Sequence, residues 1–223
     1  MTALGFLHPG DAPADDYPRI EQLLGSDIRL DVVPTDLTDL TELEPGDRLA
    51  ATAERLRLTG AEAVVWTGPA PADPGAARAQ VRTLALAAGM PASATPLAFV
   101  NAAKELGATR VAVVATGPDP DTARFTDFLT AAGLRITRVA TGTPDADLRA
   151  LAAEALTPDA QALLLPDPAL QTAAHIDALE ARLARPVLTT SQTTVWEALR
   201  LTDRRVNSPG LGHLFTREPI VQV

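Results

Sequence analysis

The stretch QALLLPDP at residues 161–168 is an apolar run of strand length that ends at a proline and an acidic residue, and a helical pattern follows at once. Earlier in the chain, AEAVVWTGP at residues 61–69 has almost the same pattern, and the two stretches align with Gly68 opposite Asp167. Each copy continues through a predicted helix, a proline-led segment and a second helix. We interpret this as a duplicated strand–helix–strand–helix unit, the alternative being a chance likeness between two αβ units.

Strands alternate with helices along the rest of the chain, which predicts parallel sheets with helices on both faces. The strand patterns occupy residues 2–7, 28–33, 61–66, 110–116, 134–139, 162–165 and 187–189, and the helical patterns include 48–59, 168–184 and 192–201. We expect an α/β fold of two pseudo-symmetric domains, each a parallel sheet flanked by helices, with an interdomain cleft. Residues 1–94 together with 192–223 are expected to form the N-terminal domain, and residues 95–191 the second.

Composition limits the classes of function. Of the 223 residues, 46% are hydrophobic and 21% charged, which is enough for a packed core. The net charge of -9 disfavours nucleic acid as a partner, because neutralising phosphates requires Lys and Arg. Cysteine is absent, which excludes disulfides, thiolate metal sites and cysteine nucleophiles. No leader pattern opens the chain and no apolar run approaches the roughly 18 residues of a membrane helix, so we expect a cytoplasmic protein without membrane contact.

Ligands of parallel sheets bind outside the carboxyl ends of the strands. The predicted strand ends carry the candidate site residues His8, Thr67, Gly68, Thr116, Gly117, Asp167, Thr190 and Ser191. Helix N-termini that converge there favour an anion, so a small carboxylate is the expected ligand. The chain has no Gly-rich phosphate loop, no G-x-G-x-x-G after a strand, no metal-ligand spacing and no G-x-S-x-G elbow. We therefore expect no cofactor, no metal and no serine-hydrolase chemistry.

Two of these residues are candidate catalytic groups. Asp167 in the cleft could carry a proton, but Asp-Pro is also ordinary helix-start chemistry and recurs at Asp73 and Asp119. A carboxylate that caps its own helix is a poor proton carrier, so the two roles compete. His8 could act as an acid or base near neutral pH, or be a polar turn residue. The candidate threonines and glycines could bind a ligand, or they could be present only because these residue types suit strand ends and turns.

Several segments resemble the aspartate/glutamate racemase superfamily, in its maleate isomerase and arylmalonate decarboxylase branch. They are GFLHPG at 5–10, DYPRIE at 16–21, residues 110–116 and 164–172, PVLTTSQTTVWEALR at 186–200, and PGLG at 209–212. The resemblance spans nearly the whole chain, and the run ending at residues 192–200 is its most specific part. It implies two pseudo-symmetric domains with the substrate between them, no cofactor, and acid–base chemistry next to a carboxylate.

The sequence also departs from that branch at the positions that carry its chemistry. Two-base members have a cysteine at the end of each repeat's strand, where this chain has Gly68 and Asp167, and the decarboxylase type retains the second cysteine. Gly117 stands where many relatives have a tyrosine, and Ser191 stands where an asparagine is common among them. The resemblance therefore implies decarboxylation, cis–trans isomerisation or another α-proton step by a cysteine-free variant of the family mechanism. The alternative is a non-catalytic carboxylate- or partner-binding protein, and a homo-oligomer remains an open expectation.

Overall fold

A computed structural model describes residues 1–10, 16–25, 27–35, 47–116, 119–143, 147–167 and 170–216. The strands are β1 (Thr2–Pro9), β2 (Ile28–Thr35), β3 (Ala61–Trp66), β4 (Ala92–Ala94), β5 (Arg110–Ala115), β6 (Arg135–Thr141), β7 (Ala162–Leu165) and β8 (Val187–Thr189). The helices are α1 (Asp16–Leu24), α2 (Asp47–Leu58), α3 (Pro74–Ala88), α4 (Thr95–Glu105), α5 (Asp119–Ala131), α6 (Leu148–Ala155), α7 (Ile176–Leu183) and α8 (Thr190–Leu201). Two short 3-10 turns follow, at Pro209–Leu211 and His213–Phe215.

The strands form two four-stranded parallel sheets, in the orders β2-β1-β3-β4 and β6-β5-β7-β8. Each half of the chain thus repeats the same strand order, as the duplicated pattern predicts. The middle strands are apolar along their length because both faces are covered by helices. All four residues of β7 are buried, and so are five of the six in β5. The predicted fold class, two pseudo-symmetric α/β units, is confirmed.

The last helix of each half packs on the other half. Helix α8 follows β8 of the second sheet but contacts β1, β3 and β4 of the first, and it lies against α4. Helix α4 follows the first sheet and contacts α5 and β8 of the second. This exchange agrees with assigning residues 192–223 to the first domain, although the exact division into domains stays a prediction.

Buried carboxylates hold this arrangement together. Glu197 of α8 is fully buried and accepts hydrogen bonds from Ser93 Oγ at 2.8 Å and Asn101 Nδ2 at 3.0 Å. Asp16, at the start of α1, accepts from the backbone amides of Thr172 at 3.3 Å and Ala173 at 3.0 Å. Because hydrogen bonds to ionised groups are stronger than neutral ones, each carboxylate is a specific tie between segments far apart in sequence.

Two predicted helix starts are wrong. The helix expected at residues 168–184 begins at Ile176, after an N-cap at His175, although it ends near Ala184 as predicted. Residues 172–175 instead form a turn, in which the His175 amide donates to the Thr172 carbonyl at 2.8 Å. The turn presents its amides to Asp16, a tertiary contact that local sequence does not reveal. Helix α8 begins at Thr190 rather than at residue 192, because a short β8 ends in an N-cap at Thr189.

Candidate active site

One cavity of about 350 Å³ opens between the two halves, at the carboxyl ends of their strands. The first half supplies His8, Pro9, Thr67, Gly68, Pro69 and Ala70, and the second half supplies Ala115, Asp121, Thr122, Arg124, Phe125, Pro166 and Asp167. Thr95, Pro96 and Phe99 of α4 and Thr190 of α8 complete the lining. A cavity of this volume suits a small organic ligand.

The structure brings together five of the eight candidate residues predicted from sequence. His8, Thr67, Gly68, Asp167 and Thr190 all line the cavity. Thr116 reaches it through Asp167, described below, whereas Ser191 is buried in the first turn of α8 and is not among the lining residues. Gly117 lies outside the described residues.

Asp167 lies just beyond β7, after Pro166, and is half-buried in the wall of the cavity. The Thr116 hydroxyl donates a hydrogen bond to Asp167 Oδ2 and so ties the ends of β5 and β7 together. The sequence offered a helix-capping role as the alternative, but His175 is the N-cap of the next helix, α7. The N-cap of α7 is therefore not Asp167, which instead lines the cavity.

His8 is the second titratable group from the predicted set. It is the last residue but one of β1, is 7% exposed, and neither ring nitrogen has a hydrogen-bond partner among the described residues. Burial lowers the pKa of His8 below its ordinary value, and the nearby backbone of Gly10 and Pro9 opposes this only in part. The imidazole is therefore neutral at pH 7.

The threonine hydroxyls of the cavity already donate to the protein. Thr67 Oγ1 donates to the Leu7 carbonyl at 3.1 Å. At equivalent places in the two halves, Thr95 Oγ1 bonds the carbonyl that ends β3, and Thr190 Oγ1 bonds the carbonyl that ends β7, each at 3.3 Å. A hydroxyl has one proton, so these groups offer a ligand lone pairs rather than donors.

Prolines further reduce the supply of donors. Pro9 is the last residue of β1, Pro69 lies three residues after the end of β3, and Pro166 directly follows β7; all three line the cavity and have no backbone N–H. The sequence-based expectation that strand-end amides and threonine hydroxyls bind an anion stays a prediction. The binding roles of Thr67, Thr116 and Thr190 remain proposals.

Gly68 is required by a close neighbour. A Cβ added to it would lie less than 3.0 Å from three atoms of the Trp66 indole, a separation that real Cβ atoms essentially never show. Trp66 is fully buried in the core cluster beside the first sheet. The indole thus occupies the space into which a side chain at position 68 would project.

Arg124 and the aromatic wall beside it were missed by the sequence reasoning. Arg124 is the only lysine or arginine among the described residues that line the cavity, and its partner there is Asp121, with Nη1 and Oδ1 3.8 Å apart. Phe125 packs edge-to-face on Phe99, with ring centroids 5.2 Å apart. The signal that could have identified Arg124 is its place in the first turns of the helix that follows β5, because the carboxyl end of a parallel strand borders the ligand cleft.

The described ranges contain no group of three or more His, Cys, Asp or Glu side chains placed to hold a metal ion. Among those same residues, no helix has both the length and the apolar character needed to cross a membrane.

Comparison with known proteins gives a consistent result. The sequence model of the arylmalonate decarboxylase family matches residues 43–215. The structure of an unliganded arylmalonate decarboxylase is 25% identical and superimposes with a TM-score of 0.78, over 96% of this chain and 99% of its own. The maleate isomerase Iso from Pseudomonas putida S16 is 19% identical, with a TM-score of 0.79 over 96% of this chain and 98% of its own, which shows a shared fold. No curated protein sequence matches significantly.

Proposed function

The chain belongs to the arylmalonate decarboxylase family, as its sequence resemblance predicted, and on that premise we propose a cofactor-independent enzyme acting on a small carboxylic acid. The reaction is decarboxylation, cis–trans isomerisation or another α-proton step. Asp167 is its proton carrier, in place of a thiol. The observation that carries the proposal is that Gly68 and Asp167 line the same cavity. By the sequence resemblance, these two positions correspond to the cysteines of the two-base enzymes.

A carboxyl group can perform the required proton transfers. In a decarboxylation, the bond from the α-carbon to one carboxylate breaks, carbon dioxide leaves, and the electron pair passes into the remaining carboxylate as an enediolate. Asp167 in its acid form then protonates the α-carbon and regains a proton from water. In an exchange reaction the Asp167 carboxylate removes the α-proton and returns one derived from solvent. Thr116 fixes the orientation of the carboxyl through its hydrogen bond.

His8 faces the same cavity from the first half of the molecule. As a neutral imidazole it can accept or donate a proton near pH 7, and no described residue occupies either of its nitrogens. We propose it as the second group that handles protons or bonds to the developing enediolate. Thr67, Gly68 and Thr190 shape the wall between it and Asp167.

The test is turnover followed by ¹H NMR in heavy water, over a panel of arylmalonates, maleate and amino acids. Loss of carbon dioxide, conversion of maleate to fumarate and exchange of an α-proton each have a distinct spectrum. We expect one of them for the wild-type protein, and its loss in Asp167→Asn, since an amide does not carry the proton.

Asp147→Asn is the matched control. Asp147 caps α6 through the Arg149 amide, at 2.9 Å, and does not line the cavity. Activity that survives in Asp167→Asn would overturn the assigned role of Asp167. Absence of turnover across the panel, with a carboxylate still raising the melting temperature, would favour a non-catalytic binder, the reading that the missing cysteines support.

A further inference from the structure

Charged groups that can neutralise a carboxylate are few among the described residues that line the cavity. Three of the lining threonine hydroxyls are committed to backbone carbonyls, and Pro9, Pro69 and Pro166 at or near the strand ends have no backbone N–H. Its charged lining residues within the described chain are Asp121, Arg124 and Asp167. An anionic ligand therefore meets one guanidinium and two carboxylates.

Arg124 is suited to that ligand by position and by chemistry. It projects from the early part of α5 with about half of its side chain exposed, 51%, and contacts Asp121 at 3.8 Å, beyond hydrogen-bond distance. Because this contact is longer than a hydrogen bond, the N–H groups of the guanidinium can still donate to a ligand carboxylate, through two parallel hydrogen bonds.

The apolar wall lies directly beside this cation. Phe125 is the next residue along α5 and packs on Phe99, and Pro96 and Ala70 continue the apolar lining. The cavity therefore combines a cation on α5 with an adjacent wall that favours hydrocarbon.

We propose that Arg124 is a specificity-determining residue that binds the carboxylate of an acid with an apolar, ring-sized body, and that Asp121 competes for the guanidinium in the empty cavity. This deepens the proposed function by naming the anionic end of its substrate. A ligand must displace the Asp121–Arg124 pair, so Asp121 weakens binding.

The experiment is an NMR chemical-shift titration of the ¹⁵N-labelled protein with phenylacetate, and with phenylacetamide as its neutral isostere. We expect Arg124→Gln to weaken phenylacetate binding about fivefold and to leave phenylacetamide binding unchanged. Asp121→Asn should strengthen phenylacetate binding about twofold to threefold and leave phenylacetamide binding unchanged. Both differences should shrink in about 1 M salt, where the Debye length is near 3 Å.

Exposed residues outside the cavity provide matched controls. Arg138→Gln on β6 and Asp127→Asn further along α5 repeat the two charge changes, and neither residue lines the cavity. We expect both to bind phenylacetate like the wild-type protein. Equal weakening by Arg138→Gln would mean a general charge effect and would overturn the assignment.

The outcomes separate this inference from the proposed function. If phenylacetate binding depends on Arg124 but no acid is turned over, the enzyme proposal fails and the role of Arg124 stands. If turnover occurs while Arg124→Gln leaves KM and phenylacetate binding unchanged, the role of Arg124 fails and the enzyme stands. If the wild-type protein does not bind phenylacetate at tens of millimolar, the inference is wrong.

Discussion

Adding one methyl group at position 68 should destabilise the protein through Trp66. In Gly68→Ala the new Cβ would lie less than 3.0 Å from three indole atoms, whereas carbon atoms pack comfortably at about 3.5–4.0 Å. Either the indole or the 67–69 turn must shift by more than about half an ångström. Trp66 is 2% exposed and enclosed by core side chains, so it has little room to move. Overpacking of this kind costs about 1–3 kcal/mol of unfolding free energy.

A double-mutant cycle measured by urea unfolding isolates the cause. Trp66→Leu alone should cost several kcal/mol by leaving a cavity, about 3–5 kcal/mol for a large aromatic truncation. If the indole is the obstacle, Gly68→Ala should cost almost nothing in the Trp66→Leu background, a coupling of about 1–3 kcal/mol. Additive effects would refute the reasoning.

Gly210→Ala is the matched glycine control. Its Cβ would come no closer than 3.3 Å to a methyl group of Leu23, a flexible neighbour. We expect a change within about 1 kcal/mol, on the stabilising side if the backbone is compatible. The comparison bears on the chemistry too, since Gly68→Cys carries the same Cβ. A thiol restored at position 68 would require Trp66 to be replaced as well.

Three further predictions follow from buried or capping groups. The folded state keeps His8 neutral, whereas the same side chain in the unfolded chain binds a proton near pH 6.5. The urea concentration at the unfolding midpoint should therefore fall as the pH drops below about 6.5, and it should fall less steeply in His8→Gln. Parallel pH profiles for the two proteins would contradict this. Glu197→Ala should lower the unfolding free energy by about 2–4 kcal/mol, since Ser93 and Asn101 lose a buried acceptor. A loss below about 1 kcal/mol in urea unfolding would argue against the role of Glu197 in holding α8 to the first half. Asp73→Ala should lower the melting temperature by the equivalent of about 1 kcal/mol, as the N-cap of α3 accepts two backbone amides, and an unchanged melting temperature would refute the cap.

The sequence determined the layers of this protein. Runs such as VAVVA in β5 and ALLL in β7 are apolar without alternation, which identifies strands covered on both faces whatever their neighbours are. Repetition of the pattern then implied the same strand order in both halves. The placement of Gly68 and Asp167 at one cleft followed from the rule for parallel sheets, because it depends only on the direction of the strands.

Tertiary structure alone decided which groups line the cavity and which partners they already have. Asp-Pro at residues 167–168 has the local chemistry of a helix start, but the turn whose amides bind Asp16 moves the start of α7 to Ile176. The hydroxyls of Thr67 and Thr190, which the sequence offers as donors to a ligand, donate to carbonyls that the fold brings close, and Arg124 lines the cavity beside a phenylalanine pair formed with another helix. Local patterns record the preferences of neighbours in sequence, whereas these contacts join residues far apart in the chain, so only the packed structure contains them.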